Sequence, residues 1–152
     1  MRPLKNFEEF LRHGVVKRRT PDLIRAKSLI NEAEKRKKFL GKLSIKIGLA
    51  DENANYFIET SYDTLIELIR AKMLAEGFKT SGEGAHEAEV SYMRKFGFSE
   101  NEVRFMNDLR YFRNGILYYG KDFDSEYGNK VLEFLNKIYP VLLKLNKSSE
   151  HE

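Results

Sequence analysis

The side chains best suited to chemistry lie in one short run of the sequence, from Arg110 to Gly120. The run contains two arginines, one asparagine and three tyrosines. A guanidinium group binds phosphate or carboxylate oxygens through paired hydrogen bonds, and a phenol donates a hydrogen bond or stacks on a base. Arg110, Arg113 and Asn114 are therefore candidates for binding phosphate, although the same arginines can also be solvated charges on a helix.

The sequence on either side predicts the helix that positions this run. Ser99 is a candidate N-cap, and Glu102 follows it at the spacing of a capping box. Gly120 comes where a left-handed C-cap is expected, so we predict one helix from Glu100 to Tyr119. A step of about 100° per residue divides it into an apolar core face and a mixed second face. The predicted core face is Phe105, Leu109, Phe112, Ile116 and Tyr119; the mixed face is Met106, Asn107, Arg110, Arg113, Asn114, Leu117 and Tyr118.

Hydrophobic periodicity predicts further helices and no strands elsewhere in the chain. The first long helix begins at Thr20-Pro21-Asp22, with Thr20 as N-cap, and extends to about residue 47. The second, ending at Gly77, is apolar around so much of its circumference that we expect it to be central or at a subunit contact. A shorter helix, Ala85 to Phe96, precedes the helix already described, and a last long helix follows residue 124. The fold class is all-α, an up-and-down bundle of four long helices plus a shorter fifth helix.

Composition limits the possible classes of protein. The length of 152 residues suits one domain, which we divide into a basic N-terminal extension (1–19), a helical bundle (20–146) and a frayed tail (147–152). The absence of cysteine excludes disulfides, thiolate metal sites and a cysteine nucleophile. No apolar run approaches the roughly 20 residues of a membrane helix, and the N-terminus lacks a signal-peptide core. We expect a cytoplasmic protein without a membrane segment.

Charge is distributed unevenly along the chain. Residues 1–46 carry 14 Lys and Arg against 5 Asp and Glu, whereas residues 47–152 carry 13 against 18. Such an asymmetry is typical of a surface that binds phosphates or an acidic partner, and equally of a solvated lysine-rich helix. Both interpretations stay open at this point.

Metal ligands and catalytic bases are scarce in the sequence. None of the histidines has a partner at a metal-binding helix spacing, so we expect no metal and no cofactor. Three carboxylates on the second long helix share a face and are interpreted as a solvated acidic edge. His86 stands among glutamates at the start of the short helix, either as a cap or surface residue or facing a cleft. The three carboxylates that share a face of the second long helix are Glu59, Asp63 and Glu67.

The run from about Thr20 to Leu145 resembles the HEPN family of small helical bundles. The segment Arg113-Asn114-Gly115-Ile116-Leu117-Tyr118 is similar to the family signature of Arg, a polar residue that is often Asn, three variable residues and His. The basic lead-in to the first long helix and the aromatic-rich start of the second agree with it. The resemblance implies a dimer in which Arg holds the scissile phosphate of RNA and His helps to move a proton, without a metal.

One departure from the signature affects the expected chemistry, because Tyr118 stands where active HEPN ribonucleases have His. A phenol is neutral at pH 7 and is a poor base. We therefore expect a homodimeric, non-catalytic or weakly catalytic module that binds RNA or nucleotide phosphate with Arg110, Arg113 and Asn114. The resemblance also implies a small nucleotidyltransferase as partner in a toxin–antitoxin-like pair.

Two alternatives remain open. The first is a metal-independent endoribonuclease in which Arg113 holds phosphate and Tyr118 or His86 moves the proton. The second is a scaffold dimer whose Arg113 face makes only protein contacts.

Overall fold

The computed structural model describes residues 2–150, with side chains through Ser148. Over these residues the chain forms six α-helices, four of them long, and two short β-strands, with 3₁₀ turns at Asp51–Asn53 and Tyr92–Phe96. None of the helices between residues 2 and 150 combines the length and hydropathy needed to cross a bilayer. The elements are α1 (Phe7–Arg12), β1 (Val16–Arg18), α2 (Leu23–Lys46), α3 (Ala54–Ala75), β2 (Phe78–Thr80), α4 (Ala85–Ser91), α5 (Glu100–Tyr119) and α6 (Ser125–Glu150).

Helix α3 is the centre of the structure, as its apolar circumference predicts. Of its 22 residues, 14 are buried, and α2, α4, α5 and α6 all pack against it. Side chains such as Phe57, Leu65 and Ile69 are completely excluded from solvent. Burial of one such side chain stabilises the fold by about 1.5 to 3 kcal/mol, so its contacts with four helices hold α3 firmly in place.

The ends of α5 agree with the capping signals in the sequence. The hydroxyl oxygen of Ser99 accepts a hydrogen bond from Glu102 N at 3.1 Å, and Glu102 Oε1 accepts one from Ser99 N at 2.8 Å. At the other end Gly120 has φ of 62°, and the helix spans Glu100–Tyr119. The predicted bounds of α5 are confirmed.

The face assignment of α5 is partly wrong. Met106 and Asn107 are buried, although the mixed face included them, whereas Tyr119 is 79% exposed. The reason is that helices cover α5 from more than one side. Helices α3 and α4 both pack against it, while the ring of Phe105 meets Phe134 of α6 at 4.4 Å between centroids.

The start of α2 also differs from the prediction, because Asp22 and not Thr20 is the N-cap. The side chain of Asp22 accepts a hydrogen bond from Arg25 N at 3.0 Å. Preceding residues are held by the end of α3 instead, since Arg19 N donates to Gly77 O at 2.8 Å and Asp22 N donates to Leu74 O at 3.0 Å. The helix therefore begins only after this anchored segment.

The two strands were not expected from the sequence. β1 and β2 pair antiparallel, with Val16 opposite Thr80. Each has three residues, which is too short to show a period of two. The pairing brings residues 7–18 onto the core, where Phe10 and Val16 are buried. At the other terminus α6 continues to Glu150, so helix covers residues 147–150 of the segment expected to be frayed, and residues 151–152 lie outside the described range.

Substitution of Gly77 by alanine should destabilise the protein more than the same change at Gly97. Both glycines have positive φ values, of 85° and 82°, so each change incurs backbone strain of about 1 kcal/mol or more. At Gly77 an added Cβ would also lie 2.7 Å from Arg19 O, whereas nothing lies within 4 Å at Gly97. We expect Gly77→Ala to lower the free energy of unfolding by about 1 to 3 kcal/mol more than Gly97→Ala in urea titrations. Equal losses would show that the anchored segment is not held in this way.

Candidate functional site

Tyr62 lies in the middle of a group of charged side chains from three helices. The residue is 2% exposed, and its hydroxyl has no hydrogen-bond partner among the described residues. Burial raises the pKa of Tyr62, Glu89 acts in the same direction, and three nearby arginines oppose them. The phenol is therefore a neutral hydrogen-bond donor at physiological pH. We call this group the Tyr62 cluster: Tyr62, Arg70, Glu89, Arg110 and Arg113.

Arg113 faces α3 within the chain. Its Nη2 donates to Asp63 Oδ1 at 3.0 Å, and its guanidinium carbon lies 5.7 Å from the centre of the Tyr62 ring. The side chain is 24% exposed, and the buried Nε has no acceptor among the described residues. Arg113 is thus oriented by one carboxylate and one aromatic ring, while part of its guanidinium is accessible to solvent.

Asp63 is shared by two arginines from helices on either side of α3. Arg36 Nη1 of α2 lies 3.4 Å from Asp63 Oδ2, and Arg36 Nε lies 3.1 Å from Glu67 Oε1. Glu67 is 7% exposed, and burial raises its pKa although Arg36 opposes this. Burial likewise raises the pKa of Glu59, against the effect of Arg113. The interpretation as a solvated acidic edge is wrong for Asp63 and Glu67, because Arg36 of α2 and Arg113 of α5 form ion pairs with them. Glu59 stays partly exposed.

Arg110 is the more buried of the two candidate arginines on α5. Its side chain is 13% exposed and lies 4.0 Å from Glu87, while its Nε donates to the side chain of Asn107 at 3.0 Å. Asn114 is partly buried. Of the two candidate arginines, Arg113 has the more exposed side chain, at 24% against 13% for Arg110.

A buried carboxylate connects His86 to the Tyr62 cluster. Glu89 is 1% exposed and accepts hydrogen bonds from Arg70 Nε at 2.6 Å and Arg70 Nη2 at 3.0 Å. It also accepts from Thr80 Oγ1 at 3.3 Å and lies 3.1 Å from His86 Nδ1. Burial acts to raise the pKa of Glu89, but hydrogen bonds from His86 and Arg70 hold it below its ordinary value. The carboxylate is therefore ionised. It accepts a hydrogen bond from His86, and this contact orients the imidazole ring.

Tyr118 stands apart from these contacts. It lies in the last turn of α5 and is 72% exposed. It follows Arg113 by five positions, which places the two side chains about 140° apart around the helix axis. The three candidate catalytic residues are therefore distributed over different surroundings: Arg113 against Asp63, His86 against Glu89, and Tyr118 towards solvent.

Comparison with protein-family models, curated proteins and solved structures finds no significant match. The resemblance to the HEPN family thus rests on the residues quoted above. Within the part of the chain whose side chains are described, no group of three or more His, Asp and Glu side chains is placed to hold a metal ion.

Sequence reasoning missed the residues that organise this site, namely Tyr62, Arg70 and Glu89. Two signals were present in the sequence. Arg70 is an arginine in an otherwise strongly apolar stretch of helix, which indicates a buried or half-buried partner. Glu89 follows His86 at a spacing of three, which places both on one side of α4. Neither signal indicates that Arg70 and His86 share one carboxylate, that of Glu89.

Replacement of Glu89 by glutamine should destabilise the protein at pH 7 and much less in acid. The glutamine amide would face the Arg70 guanidinium with donors, so we expect a loss of about 3 kcal/mol in the free energy of unfolding. The pKa of Glu89 is lowered in the folded state, so its contribution is present above its ordinary value of 4.5 and is lost as the pH falls through the folded value. Urea unfolding of wild type and variant at pH 7 and at successively lower pH measures this difference.

Glu87→Gln on the same helix is the matched control for that experiment. The Glu87 side chain is 46% exposed and lies 4.0 Å from Arg110, so its loss should cost no more than about 0.5 kcal/mol. A gap between wild type and Glu89→Gln that stayed constant down to low pH would contradict the assignment of an ionised, hydrogen-bonded Glu89.

Proposed function

We propose that this chain is an HEPN-like, up-and-down helical module that forms a homodimer and binds RNA or nucleotide phosphate at Arg113 and Arg110, with little or no catalysis. The observation that supports it best is the position of two guanidinium groups one turn apart on α5, around a buried neutral phenol. A charge-assisted hydrogen bond to phosphate is stronger at such a half-buried position than in open water. Asn114 lies beside them in sequence and is the third phosphate-binding candidate.

Competition with Asp63 limits the affinity that we propose. Asp63 Oδ1 occupies one donor of Arg113 at 3.0 Å, and a phosphate oxygen must share or displace that contact. Arg36 lies 3.4 Å from the other oxygen of Asp63, so the carboxylate keeps a partner when Arg113 turns to a ligand. Binding through Arg113 therefore needs only a local exchange of ion pairs.

Weak or absent catalysis is supported by the surroundings of the other two candidates. Tyr118 is 72% exposed and points well away from Arg113 around the axis of α5. His86 Nδ1 is engaged by Glu89 at 3.1 Å. The contacts of Arg113 among the described side chains are with Asp63 and Tyr62, and include neither Tyr118 nor His86. We further propose, from the HEPN resemblance, a small nucleotidyltransferase as partner in a toxin–antitoxin-like pair.

A scaffold dimer without a nucleic-acid role is the second candidate, and exposed apolar side chains favour it. The exposed fractions on α5 are 53% for Tyr111, 47% for Leu117, 72% for Tyr118 and 79% for Tyr119. Tyr56, near the start of α3, is 43% exposed. Aromatic side chains are enriched at protein interfaces, and these would serve a contact between two copies equally well with or without bound RNA.

Arg113→Ala and Asp63→Asn should change RNA binding in opposite directions. Loss of the guanidinium should weaken binding of a single-stranded RNA about tenfold and reduce the salt slope by about one. Removal of the Asp63 charge should strengthen binding, because the competing carboxylate is lost. Fluorescence anisotropy with RNA and with ATP, at low and moderate salt, measures both effects.

Arg104→Ala is the control for this test, since it removes the same charge from an exposed position on α5. Equal weakening by Arg104→Ala, or no binding by wild type, would contradict the proposal. A change of oligomeric state in Arg113→Ala without any RNA binding would favour the scaffold dimer. Cleavage of RNA in EDTA that Arg113→Ala abolishes would instead establish the metal-independent endoribonuclease.

A further inference from the structure

Helix α2 presents a row of lysines on the side that faces away from the core. The buried residues of the helix define its inner side: Ala26, Ile30, Ala33 and Leu40. At about 100° per residue, five exposed lysines fall within an arc of about 100° on the opposite side. These lysines are Lys27, Lys35, Lys38, Lys42 and Lys46.

The charges of this row are not neutralised within the chain. None of the five lysines forms an ion pair with a residue whose side chain the structure describes. The carboxylates of α2 lie beside other cations, since Glu32 is 3.9 Å from Arg36 and Glu34 is 3.1 Å from Lys147. The row is therefore a positively charged surface that is complementary to an anionic one.

Three large apolar side chains project from the same side of α2. The exposed fractions are 88% for Ile24, 54% for Phe39 and 88% for Ile45. All three lie within about 70° of the middle of the lysine row around the helix axis. Ile24 and Ile45 are near opposite ends of the helix, about 32 Å apart at 1.5 Å per residue. We call these three side chains and the five lysines the basic face of α2.

Charge and shape distinguish between the possible partners of the basic face. A second copy of the same face would bring two rows of lysines together, and like charges repel. RNA offers phosphates to the lysines, but an isoleucine has no ring that stacks on a base. The surface of an anionic bilayer offers phosphate oxygens to the lysines and an apolar region to the isoleucines. It is also extended enough to contact all 24 residues of α2 at once.

We propose that the basic face of α2 docks the protein on the surface of an anionic phospholipid bilayer. The lysine ammonium groups contact the lipid phosphates and carboxylates, while Ile24, Phe39 and Ile45 insert between the headgroups. Such a contact needs no membrane-spanning segment. Because the inserted apolar area is small, binding is reversible and weakens as salt screens the lysines. The surface lies on α2, so it acts independently of Arg110 and Arg113 on α5.

Sedimentation of the full chain with lipid vesicles tests the proposal directly. We expect saturable binding at low salt to phosphatidylcholine vesicles that contain about one-third phosphatidylserine, and none to phosphatidylcholine alone. Lys35→Gln and Lys42→Gln should each weaken binding about fivefold, because each removes one charge near the lipid surface. Ile24→Ser should also weaken it about fivefold through the lost apolar insertion. These side chains are exposed, so the variants should unfold in urea like wild type.

A single tryptophan reports whether the apolar side chains enter the lipid. The chain contains no tryptophan, so Phe39→Trp introduces one fluorophore on the basic face of α2. Its emission should shift to shorter wavelength when vesicles with phosphatidylserine are added, because the indole leaves water. Purely electrostatic adsorption of the lysines would leave the emission unchanged and would contradict the insertion that we propose.

Two control variants separate this surface from general electrostatic attraction and from the Arg113 site. Lys130→Gln removes one exposed charge from α6, and Arg113→Ala removes one from α5; both should leave vesicle binding unchanged. The proposal is overturned if wild type does not bind vesicles with phosphatidylserine at low salt, or if Lys130→Gln weakens binding as much as Lys35→Gln. It is also overturned if Lys35→Gln weakens binding of RNA and leaves that of vesicles unchanged, which would make α2 a nucleic-acid surface.

Discussion

The buried carboxylate of Glu89 is the constraint on which the functional part of the structure depends. A carboxylate that is 1% exposed is tolerated only when hydrogen bonds replace its lost hydration. Those bonds come from α3 through Arg70, from β2 through Thr80 and from α4 through His86. The need to satisfy one charge therefore fixes the positions of three elements. The orientation of His86 is one consequence of that arrangement.

Helix α3 combines the hydrophobic core with the charged site. Most of its circumference is apolar and buried, while Glu59, Asp63 and Arg70 follow one another along the part that remains accessible. Helices α2 and α5 contribute arginines to this stripe, and Arg36 and Arg113 meet at Asp63. Shared carboxylates of this kind couple the helices electrostatically. They also allow one arginine to change partner without leaving a buried charge unpaired.

Arg113 has a structural role and a proposed binding role at the same place. Its contact with Asp63 and its position over the ring of Tyr62 join α5 to α3. In the proposed binding role, a phosphate oxygen and the carboxylate of Asp63 compete for the same guanidinium donors. This balance favours modest, salt-sensitive binding.

The sequence by itself determined the helices, because their signals are local. Ser99, Glu102 and Gly120 define the ends of α5 through contacts within a few residues, and the apolar circumference of α3 identifies its central position. Only the tertiary structure decided the partners of the charged residues. Arg113 and Asp63 are separated by 50 positions in the chain. A residue type specifies the charge of a side chain but not the opposite charge with which that side chain pairs. The pairing of β1 with β2 depends on how the helices pack, and so do the contacts of Arg70, Thr80 and His86 with Glu89. These contacts join distant segments, and the local sequence pattern of each segment is too short or too ambiguous to predict its partner.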